Sequence, residues 1–364
     1  MNLWEELHIV HWKDTHSIDR ELFGLVSGLL VCNLLIVGSG MEIGYLCRIV
    51  DYGILLGSAR NMTIMNLLID FIRGNEKFTN NHILSRINGK TVILRNAQSK
   101  ERMKKLCPFK ASTNKNLLPV EECLDILTFN TTYFIPQRPV VLKGSIQDWP
   151  AMQRSIQKLQ VNMNYLLYIL GHRTVPVETG STYLSEDSGS AFITGQEFIE
   201  KYILGTANTT AECEGSGITH ADQLPMGYLA QHQLFDQIPQ LKADVNVPDY
   251  CAFDYRDPDE VVMHAWLGPV GTVSPLHHDP YYNFLAQTAG YKYIRLYDYQ
   301  HSSCLHPLEG RLSNNSSINL FEEAGILREQ YPQLEYVPYL EYVLRPGEMV
   351  FIPRWWWHFI VAID

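Results

Sequence analysis

"SPLHHDP", residues 274–280, sets two adjacent histidines ahead of an aspartate and a proline. Three donors in a row cannot all face one ion, because successive side chains of a strand point to opposite faces. A strand that runs out here brings His277 and Asp279 to one side and turns His278 to the other. Pro280 cannot donate to a ladder and suits the end of that strand. The stretch therefore reads as a donor pair at the mouth of a β-rich fold.

Two donors rarely hold a redox metal, and the third candidate is His358 in "EMVFIPRWWWHFIVAID" (348–364). The turn at Pro346-Gly347 starts an alternating segment that groups Trp356, His358 and Ile360 on one face. Two histidines and a carboxylate on neighbouring strands form a facial triad with several coordination positions open. That pattern points to non-haem Fe(II), which must take both a cosubstrate and O2. A hydrolytic zinc site normally leaves a single open position.

In "GYKYIRLY" (290–297), Lys292 shares a face with Ile294 and Leu296, while Tyr291, Tyr293, Arg295 and Tyr297 take the other. A lysine aligned with aliphatic side chains either snorkels to water at an edge or is buried against an anion. The second reading asks for a dicarboxylate that chelates iron through a keto-acid end, the requirement of a 2-oxoglutarate cosubstrate. Asn283 in "YYNFLAQ" either adds a neutral hydrogen bond there or is a turn-proximal strand residue.

From about residue 225 onward, short strands rich in Tyr, Phe, Val and Ile alternate with Gly and Pro turns, which signals a sandwich or barrel. Upstream, "RPVVLKGSIQDWP" (138–150) reads as a strand and turn, and "TVPVETGS" (174–181) as another strand. Between them Ile156, Leu159, Met163, Leu166, Leu167 and Leu170 mark a helix that stops at Gly171.

Residues 1–75 carry the helical period, with Ile43, Leu46, Cys47, Val50 and Ile54 on one face and Ile64, Leu67, Leu68, Phe71 and Ile72 on the next. The basic, polar run "SKERMKKLCPFKASTNKNLLP" (99–119) closes a linker over residues 76–119. The organisation is α+β: a helical domain (1–75), a linker (76–119), and a mainly β domain (120–364) with its core strands at 225–364.

Composition fits this plan. At 364 residues, 46% hydrophobic and 19% charged, the chain is an ordinary globular protein of more than one unit. A formal charge of −10 argues against a nucleic-acid partner, which needs a basic face. Seven scattered cysteines form no C-x-x-C pair, so a reducing compartment is expected. "FGLVSGLLVCNLLIVGSG" (23–40) is barely of spanning length and is interrupted by Ser27 and Asn33. It reads as a buried core helix, with no membrane partner.

Four motifs together resemble the jumonji-C family of Fe(II)/2-oxoglutarate oxygenases: "GYLAQHQLFDQIPQL" (227–241), "AWLGPVGTVSPLHHDPYYNFL" (265–285), "GYKYIRLY" (290–297) and "PGEMVFIPRWWWHF" (346–359). The resemblance is close from about residue 137, and nearest to the subgroup credited with protein-arginyl hydroxylation and histone lysine demethylation. It implies a double-stranded β-helix (a cupin-like jelly roll), with His277, Asp279 and His358 as iron ligands. It implies Tyr228, Ser274, Asn283 and Lys292 as cosubstrate contacts. Glu178, Gln231 and Trp266 would line a pocket for an arginine side chain, and a carboxylate, an amide and an aromatic face do suit a guanidinium. Protein substrates with a basic side chain, such as histones or other nuclear proteins, and a nuclear or partly cytoplasmic location follow from the same resemblance.

Three departures accompany it. Ser188 stands where the subgroup tends to carry a tryptophan, and His264 replaces a small polar residue beside the pocket. Only six residues follow His358, whereas the family closes its jelly roll with a further strand; an exposed sheet edge and a weakly supported His358 strand are therefore expected. Two rivals remain open at this point: an iron-free chromatin adaptor, and a metallo-aminopeptidase, for which the chain has no H-E-x-x-H motif or two-metal cluster.

Overall fold

The computed structural model describes residues 17–37, 41–58, 61–74, 117–154, 163–180, 188–205, 226–253 and 261–363, with residues 182, 184 and 185. The basic run at 99–116 and the start of the helix expected from Ile156 lie outside them. The later part of that helix is present as Met163–Leu170.

Among the described residues the front consists of three helices: α1 (Ser17–Val37), α2 (Ile43–Leu56) and α3 (Met62–Gly74). On α2 the expected stripe is the buried one, with Leu46, Cys47, Val50 and Ile54 packed inward. On α3 the stripe is rotated. Met65, Ile69 and Ile72 are buried against α2, while Ile64, Leu67 and Phe71 face outward. Thr63, Asn66, Asp70 and Arg73 share one narrow face, and the apolar arc over the rest of the helix is wide enough for two stripes one residue apart; packing against α2 selects between them.

The expected core helix also needs correction. Gly24, Ser27, Gly28 and Val31 of α1 are buried, but Leu22, Leu25, Val26, Leu29 and Leu30 are exposed. By length and composition alone α1 could cross a membrane, and 22% of its apolar window is buried within the protein.

Among the described residues the β domain has twelve strands. β1 (Val120–Glu122), β2 (Val140–Lys143), β8 (Asn283–Gln287) and β11 (Glu348–Ile352) form a sheet in the order β1-β2-β11-β8. Facing it, β7 (Val273–His278), β9 (Lys292–Tyr297), β10 (Tyr339–Leu344) and β12 (Trp357–Ala362) are ordered β10-β9-β12-β7. Between the two sheets lie Val141, Ile294, Leu296, Leu344, Val350 and Ile352. This is a jelly roll behind a helical front. Its strands begin well before residue 225, and Leu118, at the end of the expected linker, is already buried between the sheets.

A third sheet, β4-β3-β5-β6, joins β3 (Thr174–Thr179), β4 (Gly189–Thr194), β5 (Gly227–His232) and β6 (Ala265–Leu267).

The expected weakness at the His358 strand is not found. β12 lies inside its sheet, paired with β9 on one side and β7 on the other. Its last turn is tied down as well: Ala362 N–H donates to Thr272 O, and Ile363 N–H to Tyr291 O, both at 2.9 Å. Trp357, Phe359 and Val361 bury the opposite face in a separate apolar cluster.

Candidate metal centre and its pocket

His277 and His358 face one another across the β7–β12 ladder, where they are register partners. Their rings are 4.1 Å apart, and Asp279, one residue beyond β7, reaches both. Its Oδ2 is 4.0 Å from His277 Nε2 and 3.6 Å from His358 Nε2. The ligand atoms of all three lie within 4.8 Å of one another.

The tautomers follow from the backbone. His277 Nδ1 donates to Pro275 O at 2.7 Å and His358 Nδ1 to Trp356 O at 3.0 Å, since a carbonyl can only accept. Both Nε2 lone pairs are thereby left for an ion, the arrangement that orients histidine ligands in metal sites. Burial, with His277 alongside, pushes His358 far below the ordinary imidazole range, which keeps it neutral and able to ligate. The donor set fits a non-haem iron.

His278 is indeed turned to the opposite face, yet it is not in water. Its ring packs on Trp357 (4.5 Å), Tyr299 (5.4 Å) and Trp355 (5.5 Å).

A cavity of about 1730 Å3 opens over the triad, and all ten residues singled out as ligands or pocket contacts line it. Lys292 is buried, with Nζ 3.2 Å from Tyr228 Oη and no carboxylate partner among the described residues. Burial lowers its pKa to about 8. A buried cation whose hydrogen-bond partner among the described residues is a phenol suits an anionic ligand. Burial keeps the Tyr228 hydroxyl protonated, against the lowering influence of nearby Ser274. Asn283 projects from the first position of β8 at the exposed rim.

Ser274 reaches this cavity through an irregularity. Simple alternation would place it opposite His277, three residues on. The β7–β12 register shifts there: three steps on β7, Ser274 to His277, oppose two on β12, Ile360 to His358. The extra residue returns Ser274 to the side of His277, while Val273 and Leu276 join the outer cluster.

β5 repeats the device. Three steps from Leu229 to His232 oppose two from Leu267 to Ala265, and Gln231 in this bulge has φ +50°. Glu178 sits opposite Tyr228 in register, and burial raises its carboxyl above the usual range. Trp266 lies 5.7 Å from the Tyr228 ring. His264 also lines the cavity, its pKa lowered by burial. Ser188 is exposed just before β4.

Comparison with known proteins agrees with this construction. A cupin-like domain family model matches residues 127–363. Across 99% of its length the chain is 34% identical to "Lysine-specific demethylase 8" of Danio rerio, covering 82% of that protein. It is 30% identical, over 98% of its length, to 80% of "Jumonji C domain-containing protein 5" of Drosophila melanogaster. The chain belongs to the jumonji-C oxygenases. A Xenopus tropicalis relative, also "Lysine-specific demethylase 8", is 40% identical over 69% of the chain and 51% of its own length. As a jumonji-C oxygenase the protein is a 2-oxoglutarate-dependent dioxygenase that uses Fe(II).

Reading the sequence missed the supports of this oxygenase site. The backbone acceptors Pro275 O and Trp356 O carry no side-chain signature. Also passed over was Asp51, a buried carboxylate inside the apolar stripe of α2.

Proposed function

We propose that this oxygenase hydroxylates the side chain of arginine in a protein or peptide, with His277, Asp279 and His358 holding the iron. Bound together, ferrous iron, 2-oxoglutarate and dioxygen supply the oxidising chemistry, in which the cosubstrate is decarboxylated to succinate and a C–H bond gains a hydroxyl. The chain's own residues bind and orient. Lys292 meets the far carboxylate of the cosubstrate, with Tyr228, Ser274 and Asn283 hydrogen-bonding around it.

The observation that carries the arginine reading is the flank of the cavity beside Tyr228. There Glu178 on β3 and the Trp266 ring on β6 flank β5, the strand that carries Tyr228. A carboxylate and an aromatic face at that spacing suit a planar cation, and Gln231 adds an amide at the bulge. Lysine demethylation is the second reading, supported by the names of the Danio and Xenopus relatives. Histones or other nuclear proteins as substrates, and a nuclear location, belong to this proposal; imaging of the tagged chain checks the latter.

Mass spectrometry of arginine-bearing and methyl-lysine-bearing peptides after turnover separates the readings. Gain of one oxygen on arginine supports hydroxylation. Loss of a methyl from lysine, with arginine untouched, overturns it in favour of demethylation.

A further inference from the structure

Asp51 sits at full burial on the face of α2 that otherwise carries Leu46, Cys47, Val50 and Ile54. An unpaired carboxylate there would be costly, and it is saturated instead. Its Oδ1 accepts from Arg173 Nη2 (2.8 Å), Arg173 Nε (2.9 Å) and Gln237 Nε2 (2.9 Å), and its Oδ2 accepts from Thr174 N–H (2.7 Å). Arg173 and Gln237 are themselves buried, and Arg173 Nη2 donates also to Gln237 O at 3.0 Å.

The network does not end in the interior. Gln237 Nε2 donates to Thr174 O at 2.8 Å, while its Oε1 lies 2.7 Å from His232 Nε2. An amide oxygen only accepts, so His232 Nε2–H is the donor. His232 is the last residue of β5 and the far anchor of the bulge that holds Gln231 at φ +50°. A non-glycine residue in that region persists where its surroundings over-determine it. The same strand carries Tyr228.

We propose that Asp51 of the helical front is a positioning residue for substrate recognition, fixing the β5 bulge of Gln231 through Arg173, Gln237 and His232. The helical front is then part of the oxygenase site's frame. Further contacts fasten it to the β domain: Asn66 Nδ2 donates to Asp236 O (3.1 Å), Arg73 Nη2 to Tyr168 O (2.7 Å), and the Tyr52 and Phe192 rings meet at 5.9 Å. The role of Gln231 in this inference rests on the substrate pocket proposed above.

Removing Asp51 strands a buried guanidinium and can prevent folding, so the test cuts the last link instead. In the full chain, His232→Phe is compared with wild type and with His232→Gln, whose amide can donate to the same Gln237 oxygen. Hydrogen exchange of the segment 227–237 is expected to quicken about tenfold in His232→Phe and to return toward wild type in His232→Gln. With an arginine peptide, KM is expected to rise about tenfold in His232→Phe while kcat stays within about twofold. Unchanged exchange in a folded His232→Phe overturns the inference, and so does a fall in kcat without a rise in KM. Absence of arginine turnover by the wild type would instead count against the proposed substrate, and exchange would still decide the network.

Discussion

The backbone N–H of Trp355 donates to the carbonyl of Asp279 at 2.7 Å, fastening the loop before β12 to the residue that carries the triad's carboxylate. Trp355 makes this bond from φ +71°, a conformation that large side chains rarely adopt. Its ring holds it there, against His278 at 5.5 Å and Tyr299 at 5.8 Å. Glycine accepts this backbone conformation without strain but has no ring to enforce it. Trp355→Gly is therefore expected to weaken Mn(II) or Fe(II) binding about tenfold, with Trp355→Phe close to wild type. Anaerobic calorimetric titration of the two variants measures it; equal affinities would show that the ring does not set the carboxylate's position.

His278 tests the strand geometry most directly. His277→Ala, Asp279→Ala and His358→Ala each remove a donor and are expected to abolish retention of ferrous ion. His278→Ala is expected to keep it, because the imidazole lies on the far face among Trp357, Tyr299 and Trp355. Its cost falls on stability instead, about 1–3 kcal/mol for emptying a buried, ring-packed position. Metal content after anaerobic dialysis, set beside a denaturant titration, separates the two effects. Equal metal loss in all four variants would contradict a site built on alternate strand faces.

Alternation explains why so much of the centre was legible. His277 with Asp279, His358 with Ile360, and Lys292 with Ile294 and Leu296 are each pairs or runs at even spacing, and each shares a face as counted. Ser274 and Gln231 were legible only through family resemblance, because bulges in β7 and β5 reset the count and a bulge has no fixed residue signature. The stripe of α3 was ambiguous because the apolar arc of that helix is wide enough for two stripes one residue apart. Asp51 was visible as an anomaly, but its partners lie at residues 173, 174 and 237, and only the packing of the front on the β domain identifies them.

Gly268 offers a way to disturb the proposed cosubstrate contact of Tyr228 without touching a donor. A Cβ there would lie 2.6 Å from Tyr228 Cδ2 and 2.8 Å from Thr272 Cγ2, closer than side chains tolerate. Gly268→Ala must therefore displace the Tyr228 ring, and with it the hydroxyl beside Lys292. The expected result is a rise of about tenfold in KM for 2-oxoglutarate, with ferrous-ion affinity unchanged. Cosubstrate titration monitored by succinate formation reads the first and metal titration the second. A KM equal to wild type would mean that Tyr228 does not contact the cosubstrate.

Lys292 gives two pH dependences of opposite sign. Burial lowers its pKa from 10.5 to about 8. Without cosubstrate, the folded protein holds fewer protons than the unfolded chain between these values, so this residue makes stability rise with pH across that window. With Lys292 as the proposed partner of the cosubstrate, binding needs the charged ammonium, present below about 8 and lost above it. Affinity for 2-oxoglutarate is therefore expected to fall above pH 8, by up to about tenfold per unit until the lysine is neutral also in the complex. Lys292→Met should abolish both slopes, bind 2-oxoglutarate about a hundredfold more weakly, and melt no lower than wild type without cosubstrate, since it removes a buried charge that has no carboxylate partner among the described residues. Melting curves and cosubstrate titrations across pH 7–10 decide the matter: parallel slopes, or a pH-dependent affinity that survives in Lys292→Met, would place the anion's partner elsewhere.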